Sequence, residues 1–318
     1  MDNIVQYVLV CLILYVIERT YFFFAVRFRI VDIPHHQSSH KGAIIRGGGI
    51  IFYFAYLLWS LMNGFNWYGG LIGLSLLALV SFIDDIKDVD PKVRLICHFV
   101  AIILLFYHSG LIKAPMHVIF ILVIACVGGL NIFNFMDGIN GMTGGYSMVV
   151  LLALLYVDMN RVFFCDRNLI IYLLFALLVF NYYNFRIKAK CFAGDVGSLA
   201  IGFLIVYLIL RLSIKGHSMS WIVMIAVYFV DGVMTMIHRL LLGDNLMKPH
   251  KKHAYQIMAN ELKIPHLVVA GIYMSLQAVS SFVYLIYPTY STCSVILLIL
   301  CSLYMFFMKK YYYLHSLK

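Results

Sequence analysis

Eleven apolar stretches follow one another down this 318-residue chain, near 4–26, 43–62, 67–84, 95–112, 117–135, 143–158, 168–184, 192–212, 220–238, 266–286 and 291–308. Most approach the ~20 residues that an α-helix needs to cross the hydrocarbon core of a bilayer, and all exceed the ~10-residue strands of a membrane barrel. In hydrocarbon every backbone N–H and C=O must find its partner within its own segment, so these runs have to be helical. With 63% hydrophobic and 12% charged residues and a mean hydropathy of +0.92, the chain could not cover a water-facing surface. The expected fold is an all-α polytopic transmembrane helical bundle of about ten or eleven spans. Short loops and the lack of any Pro/Gly/Ser-rich linker make residues 1–318 a single integral membrane domain, without internal repeat.

Seven cysteines form no C-x-x-C pair and lie mostly in apolar runs, which argues against a disulfide framework or a zinc site. The Met-Asp-Asn start has no basic region and no small-residue cleavage site, so the first run is expected to remain as helix one. Lysine and arginine set the orientation. One set of alternate loops holds only Lys113, Arg161, Arg167, Arg211 and Lys215, and Arg19 lies inside the first span; the rest of the 24 fall on the opposite face. That asymmetry places the N-terminus outside and the C-terminus in the cytoplasm. The net charge of +10 therefore gathers at the inner face, where it attracts anionic headgroups or a multiply charged anionic substrate.

Five polar clusters fall on that same face. Asp84-Asp85-Ile86-Lys87-Asp88 closes the third run, and if the helix continues, Asp84 and Asp88 share a face while Asp85 is offset by about 100°. Carboxylates at a membrane edge are hard oxygen ligands suited to Mg²⁺. Asn131, Asn134, Asp137 and Asn140 end the fifth run amid glycines that let backbone amides approach a ligand, an arrangement suited to a nucleobase or sugar. Gly194-Asp195 opens the eighth run, where parity puts Asp195 on the face of Asp84 and Asp137 as a further metal ligand. His250-Lys251-Lys252-His253 could present two imidazoles and cationic charge to phosphate. Arg46-Gly47-Gly48-Gly49 either cradles phosphate on free amides or permits close helix packing, and the glycines alone do not decide. Together the clusters indicate a Mg²⁺-dependent site at the inner face that acts on phosphates.

In this order the motifs resemble the polyprenyl-phosphate N-acetylhexosamine-1-phosphate transferases, glycosyltransferase family 4. The resemblance rests on D-D-x-x-D at Asp84, Asp85 and Asp88, N-x-x-N-x-x-D-G from Asn131 to Gly138, F-x-G-D-V-G-S from Phe192 to Ser198, and P-H-x-x-H at Pro249, His250 and His253. The stretch from Asp32 to Gly49 looks like the family's first cytoplasmic loop, and the His-x-x-His-x-Tyr-Gln ending resembles the O-antigen-initiating branch. Departures from the family pattern are Asn140 for a second aspartate, Gln37 for arginine, Ile45 for proline, and one extra residue between Asn184 and Lys190.

The resemblance implies transfer of a hexosamine 1-phosphate from a UDP-N-acetylhexosamine to undecaprenyl phosphate, with release of UMP. Magnesium is the implied cofactor, with manganese as a substitute. Asp195, Asp84 and Asp85 would be the catalytic acids and metal ligands; Asp88, Asn131, Asn134, Asp137, Asn140, Arg46, His250 and His253 would bind substrate. The site would face the cytoplasm from the bacterial inner membrane, with room for a homodimer and no role for nucleic acid. Two other classes compete. An intramembrane prenyltransferase would need a second acidic cluster, where this chain has G-D-V-G-S and a histidine pair; a secondary transporter would place its polar groups at the bilayer midplane.

Overall fold

The computed structural model describes residues 2–32, 43–65, 67–245 and 251–311. Helix α1 (Asp2–Arg27) leads into a two-stranded antiparallel ribbon, β1 (Val31–Asp32) and β2 (Ile44–Ile45), with Val31 opposite Ile45 and Asp32 opposite Ile44. Then come α2 (Ile50–Met62), α3 (Tyr68–Ile86), α4 (Pro91–Ser109), α5 (Met116–Phe135), α6 (Met142–Asn160), α7 (Arg167–Asn184) and α8 (Gly194–Lys215). A 3₁₀ stretch, Met219–Ile225, feeds α9 (Ala226–Leu241). The short turn α10 (Ala254–Gln256) runs into a π-turn, Ile257–Glu261, before α11 (His266–Ile286) and α12 (Tyr290–Tyr311).

All eleven expected runs are helical, but among the described residues nine helices are long and apolar enough to cross a membrane. The two exceptions have physical reasons. The expected 43–62 run begins later than its apolarity suggests, because Gly47 takes a left-handed φ of 77° and the chain turns before Ile50. The 13 residues of α2 rise only about 20 Å. The 18-residue α7 opens on Arg167-Asn168 and closes on Asn184, so polar ends dilute its apolar centre. Local signals set other boundaries: Asp90 and Asp166 cap α4 and α7 by accepting from Lys92 N and Asn168 N, and Gly110 ends α4 at φ 76°.

Helix α8 is the axis of the bundle. It is apolar on every side and almost wholly buried, packed by α2, α3, α5 and α6. Lipid tails are as apolar as leucine, so such helices adhere through close packing and interhelical hydrogen bonds, for which small residues are required. A Cβ on Gly49 would collide with the Cα of Gly197, and one on Gly202 would stand 2.8 Å from Phe133 Cβ of α5. Of the two readings of the glycine triplet, its last member therefore serves close packing of α2 on α8. Peripheral helices leave apolar stripes such as Ile4, Val8, Leu12 and Val16 of α1 exposed, which hydrocarbon tolerates and water would not. Polar side chains inside pair across helices: Tyr146 donates to Gln277 (2.6 Å) and Trp59 Nε1 to Asp166 (2.8 Å).

Close packing at this crossing makes a contrast measurable. Gly197→Val should lower the thermal midpoint in detergent, by a destabilisation of about 1–3 kcal/mol or more. Gly128→Ala, whose Cβ meets nothing within 4 Å in the interior of α5, should raise stability by about 0.5–1 kcal/mol. Equal tolerance of both substitutions in thermal melts would contradict the packing of α2 on α8.

Candidate active site

The site forms where the last turn of α3 meets the first turn of α8. Helix α3 stops at Ile86, because Lys87 is extended (φ −147°, ψ 123°) and Asp84 Oδ1 accepts the N–H of Val89 (2.7 Å). The expected helical face shared by Asp84 and Asp88 therefore does not form: Asp84 turns inward and Asp88 is exposed beyond the helix end. The acids Asp84 and Asp85 part ways functionally from this point.

Asp85 is held by α8. Its carboxylate accepts from Asp195 N (2.9 Å) and Val196 N (3.1 Å), two of the amides that a helix start leaves without partners. The positive end of the helix dipole adds attraction. Gly194 admits this approach: it has φ 71°, and a Cβ there would lie 2.5 Å from Asp85 Oδ2. Arg46 Nε closes the arrangement at 2.9 Å, with the Asp85 side chain fully buried and Arg46 40% exposed. Arg46 is itself fixed, since its N–H donates to Ile30 O (3.2 Å) and its carbonyl accepts from Tyr21 (2.5 Å).

Asp195 lies in the first turn of α8, and its side chain meets Arg94. One guanidinium, from the first turn of α4, spans two helices: Arg94 Nη1 lies 2.5 Å from Asp84 Oδ2 and Nη2 3.3 Å from Asp195 Oδ2. Asn134, at the end of α5, completes the group. With its amide oriented to match donors to acceptors, Asn134 donates to Asp195 Oδ1 (3.2 Å) and Ser198 Oγ (3.0 Å), and accepts from Arg94 Nη2 (3.0 Å). The Asp84 and Asp195 carboxyls are near enough to hydrogen-bond each other.

The other expected residues stand in different places. Asn131 Nδ2 donates to Val127 O of its own helix (2.8 Å). Asn140 donates to the carbonyls of Arg186 (3.1 Å) and Ile187 (3.2 Å), which ties the Asp137–Gly141 loop to the loop after α7 rather than offering the amide to a ligand. Asp137 is partly buried, and its carboxyl is pushed up to about 7, first by desolvation and then by the charge of Asp85. His253 is turned inward against Asp231 (3.1 Å), and His250 lies outside the described residues. Sequence reasoning missed Arg94, which it counted only as a loop charge, and Asn184. Asn184 accepts from Gly141 N (2.8 Å) and donates to Cys191 O (2.8 Å), binding the glycine loop to the approach of α8. Its place two residues before Arg186, in a loop that departs from the motif pattern, was the available signal.

Among the described residues no three His, Cys, Asp or Glu side chains are arranged as a ready metal cage. The expected trio of ligands therefore narrows. Asp85 is engaged by α8, while Asp84 and Asp195 stand together as a close pair of carboxyls beside Arg94. Mg²⁺ is usually held by one or two carboxylates, with waters and substrate phosphates filling the remaining positions, so this pair fits the ion.

The family described as Glycosyl transferase family 4 matches residues 67–213, a stretch that includes Asp84, Asp85, Arg94, Asn134 and Asp195. Among similar proteins, the undecaprenyl-phosphate alpha-N-acetylglucosaminyl 1-phosphate transferase of Salmonella typhi is 28% identical, over 80% of this chain and 73% of its own. The enzyme of the same description from Escherichia coli K12 is 27% identical over 72% of this chain and 69% of its own. A probable undecaprenyl-phosphate N-acetylglucosaminyl 1-phosphate transferase of Bacillus subtilis is 24% identical over 80% and 78%. The family resemblance drawn from the motifs is thus supported, and these relatives do not single out the O-antigen branch.

Two measurements follow from the geometry. Asp85→Ala leaves the α8 amides and Arg46 without their acceptor and should cost about 1–3 kcal/mol, read as a lower thermal midpoint. For Asp137, the folded state holds a proton up to pH ~7 that the unfolded chain releases near pH ~4. Between those values the native state binds more protons, so this group's contribution to stability falls as pH rises through the window. In EDTA, Asp137→Asn should remove that slope from melts taken between pH 5 and pH 8; an unchanged slope would refute the assignment.

Proposed function

We propose that this chain, which matches the glycosyl transferase family 4, transfers an N-acetylhexosamine 1-phosphate from a UDP-sugar to undecaprenyl phosphate and releases UMP. The observation that carries the reading is the Asp84–Asp195 pair, drawn from two distant helix ends and bridged by Arg94, with Arg46 on the adjoining Asp85. Two carboxylates beside two guanidiniums suit a site that must accept both a divalent cation and a diphosphate. The relatives named above support the acceptor lipid and the sugar phosphate. The UDP donor, the metal and the sidedness rest on the motifs and on the distribution of lysine and arginine.

In this reaction an oxygen of the lipid phosphate forms a bond to the β-phosphorus of the nucleotide sugar, and the bond from that phosphorus to the α-phosphate oxygen breaks, so UMP leaves. A general base is hardly needed, because a phosphate monoester with a second pKa of about 6 is mostly dianionic at neutral pH. Catalysis reduces to positioning and charge stabilisation. Asp84 and Asp195 would hold Mg²⁺, or Mn²⁺ in its stead, which when bound would supply positive charge against the diphosphate. Arg94 and Arg46, both partly exposed, are placed to bind phosphate oxygens through their forked donors. Asn134 keeps Asp195 and Arg94 aligned. The site would open to the cytoplasm from the inner membrane and perform the first membrane step of a cell-surface polysaccharide.

The test uses purified protein with undecaprenyl phosphate, Mg²⁺ and a panel of UDP-N-acetylhexosamines, with UMP as the readout. Lipid-dependent release is expected with at least one donor, and EDTA or Asp195→Asn should abolish it. Arg94→Gln should lower kcat by about 10²–10³-fold, as for other lost charge-stabilising donors. Failure of folded protein to release UMP with every donor would overturn the reading.

A further inference from the structure

Asp231 is the one acid within α9, and it lies 3% exposed. Its carboxylate is surrounded by donors from three places. Oδ1 accepts from Ala254 N (3.2 Å) and Thr235 Oγ1 (3.0 Å) and faces His253 Nδ1 (3.1 Å), while Oδ2 accepts from Tyr273 of α11 (2.5 Å). His253 Nδ1 thus lies within hydrogen-bonding reach of the same oxygen that Ala254 N and Thr235 Oγ1 serve. Thr235 also meets Tyr304 of α12 (2.8 Å), so one buried group ties α9, α10, α11 and α12.

The segment tied down reaches the site. The His253 ring packs on Phe135 (6.1 Å between centroids) and Tyr255 (5.8 Å). Tyr255 donates to Phe135 O (2.7 Å), and its hydroxyl fills the space beside Gly138 where a Cβ would stand. Phe135 follows Asn134, which contacts Asp195, and Gly138 follows Asp137. Contacts therefore run without a break from Asp231 through His253 and Tyr255 to the end of α5. A tie needed only for stability is served as well by apolar side chains, because burying a carboxylate carries a large desolvation penalty.

We propose that Asp231 is a positioning residue. Through His253 and the Ala254–Gln256 turn it sets where Asn134 and Asp137 stand against Asp195, and so governs binding of the nucleotide-sugar diphosphate. The inference rests on the transferase reading for its substrate, but the placement itself can be read without any substrate.

The experiment uses the full chain as wild type, Asp231→Asn, His253→Gln and the double variant. Hydrogen exchange of substrate-free protein should rise in Asp231→Asn at residues 131–141 as well as at 253–256; unchanged exchange at 131–141 overturns the proposal. In steady-state assays Asp231→Asn should raise KM for the UDP-sugar about tenfold or more, equivalent to about 1.4 kcal/mol of binding. KM for undecaprenyl phosphate should stay within about twofold. The double variant should lose no more than the worse single one, since both act through one contact. Parallel changes in both KM values, or additive losses, would show a merely structural role. Should Asp231→Asn not fold, Tyr273→Phe removes a single donor and must show the same exchange pattern at smaller amplitude, or the proposal fails. Absence of UMP release from wild type would refute the transferase reading and leave the exchange result to judge Asp231.

Discussion

A carboxylate buried at the start of a buried helix organises this molecule. Asp85 accepts two amides from the first turn of α8 and the guanidinium of Arg46, and no part of its side chain reaches solvent. In a membrane interior an unpaired helix start or an unpaired acid would each be severely unfavourable. Each satisfies the other here. The join fixes α3 against α8 and brings the Arg46–Gly49 turn over both, so Asp84 and Asp195 arrive side by side as a consequence.

The remaining polar groups near the join obey the same accounting. Arg94 answers Asp84 and Asp195 together, Asn134 aligns that pair, and Asn184 links the glycine loop to the strand-like approach of α8. Asp137 stands at the edge of this group with its carboxyl pushed up to about 7 by burial. Three carboxylates and two partly exposed guanidiniums thus share a small volume, and the surplus of acid over cation favours a further positive charge there.

Much of this was legible in the sequence, for reasons specific to lipid. Hydrocarbon forbids unpaired backbone, so apolar length alone located the eleven helices; it could not see that Gly47 turns the chain before α2 or that Asn184 and Arg167 blunt the ends of α7. Parity along the helices put Asp84, Asp85 and Asp195 on one side. Spacing then failed where a helix ended: α3 stops at Ile86, so Asp88 is not stacked on Asp84. Asn140 read as a ligand group, yet its amide is bonded to the loop after α7, a partner 46 residues away that no local pattern reveals. Arg94 looked like one loop charge among many, because positive bias in short loops hides a cation that an acid cluster uses. Asp231 was silent for a related reason: apart from Thr235 one turn away, its partners come from the start of α10 and from α11, 22 to 42 residues along the chain.

The placement of Asp85 ties chemistry to the thickness of the bilayer. The carboxylate leaves α3 at its last turn and the amides that receive it leave α8 at its first, so their meeting depends on how far each helix is sunk along its own axis. A slip of one residue moves either group about 1.5 Å, half the length of a hydrogen bond. Helices answer a mismatch between their apolar length and the surrounding hydrocarbon by tilting, and tilt changes that axial offset. Acyl-chain length in the host membrane is therefore a variable of the acid cluster itself, acting on α3 and α8 from their far ends.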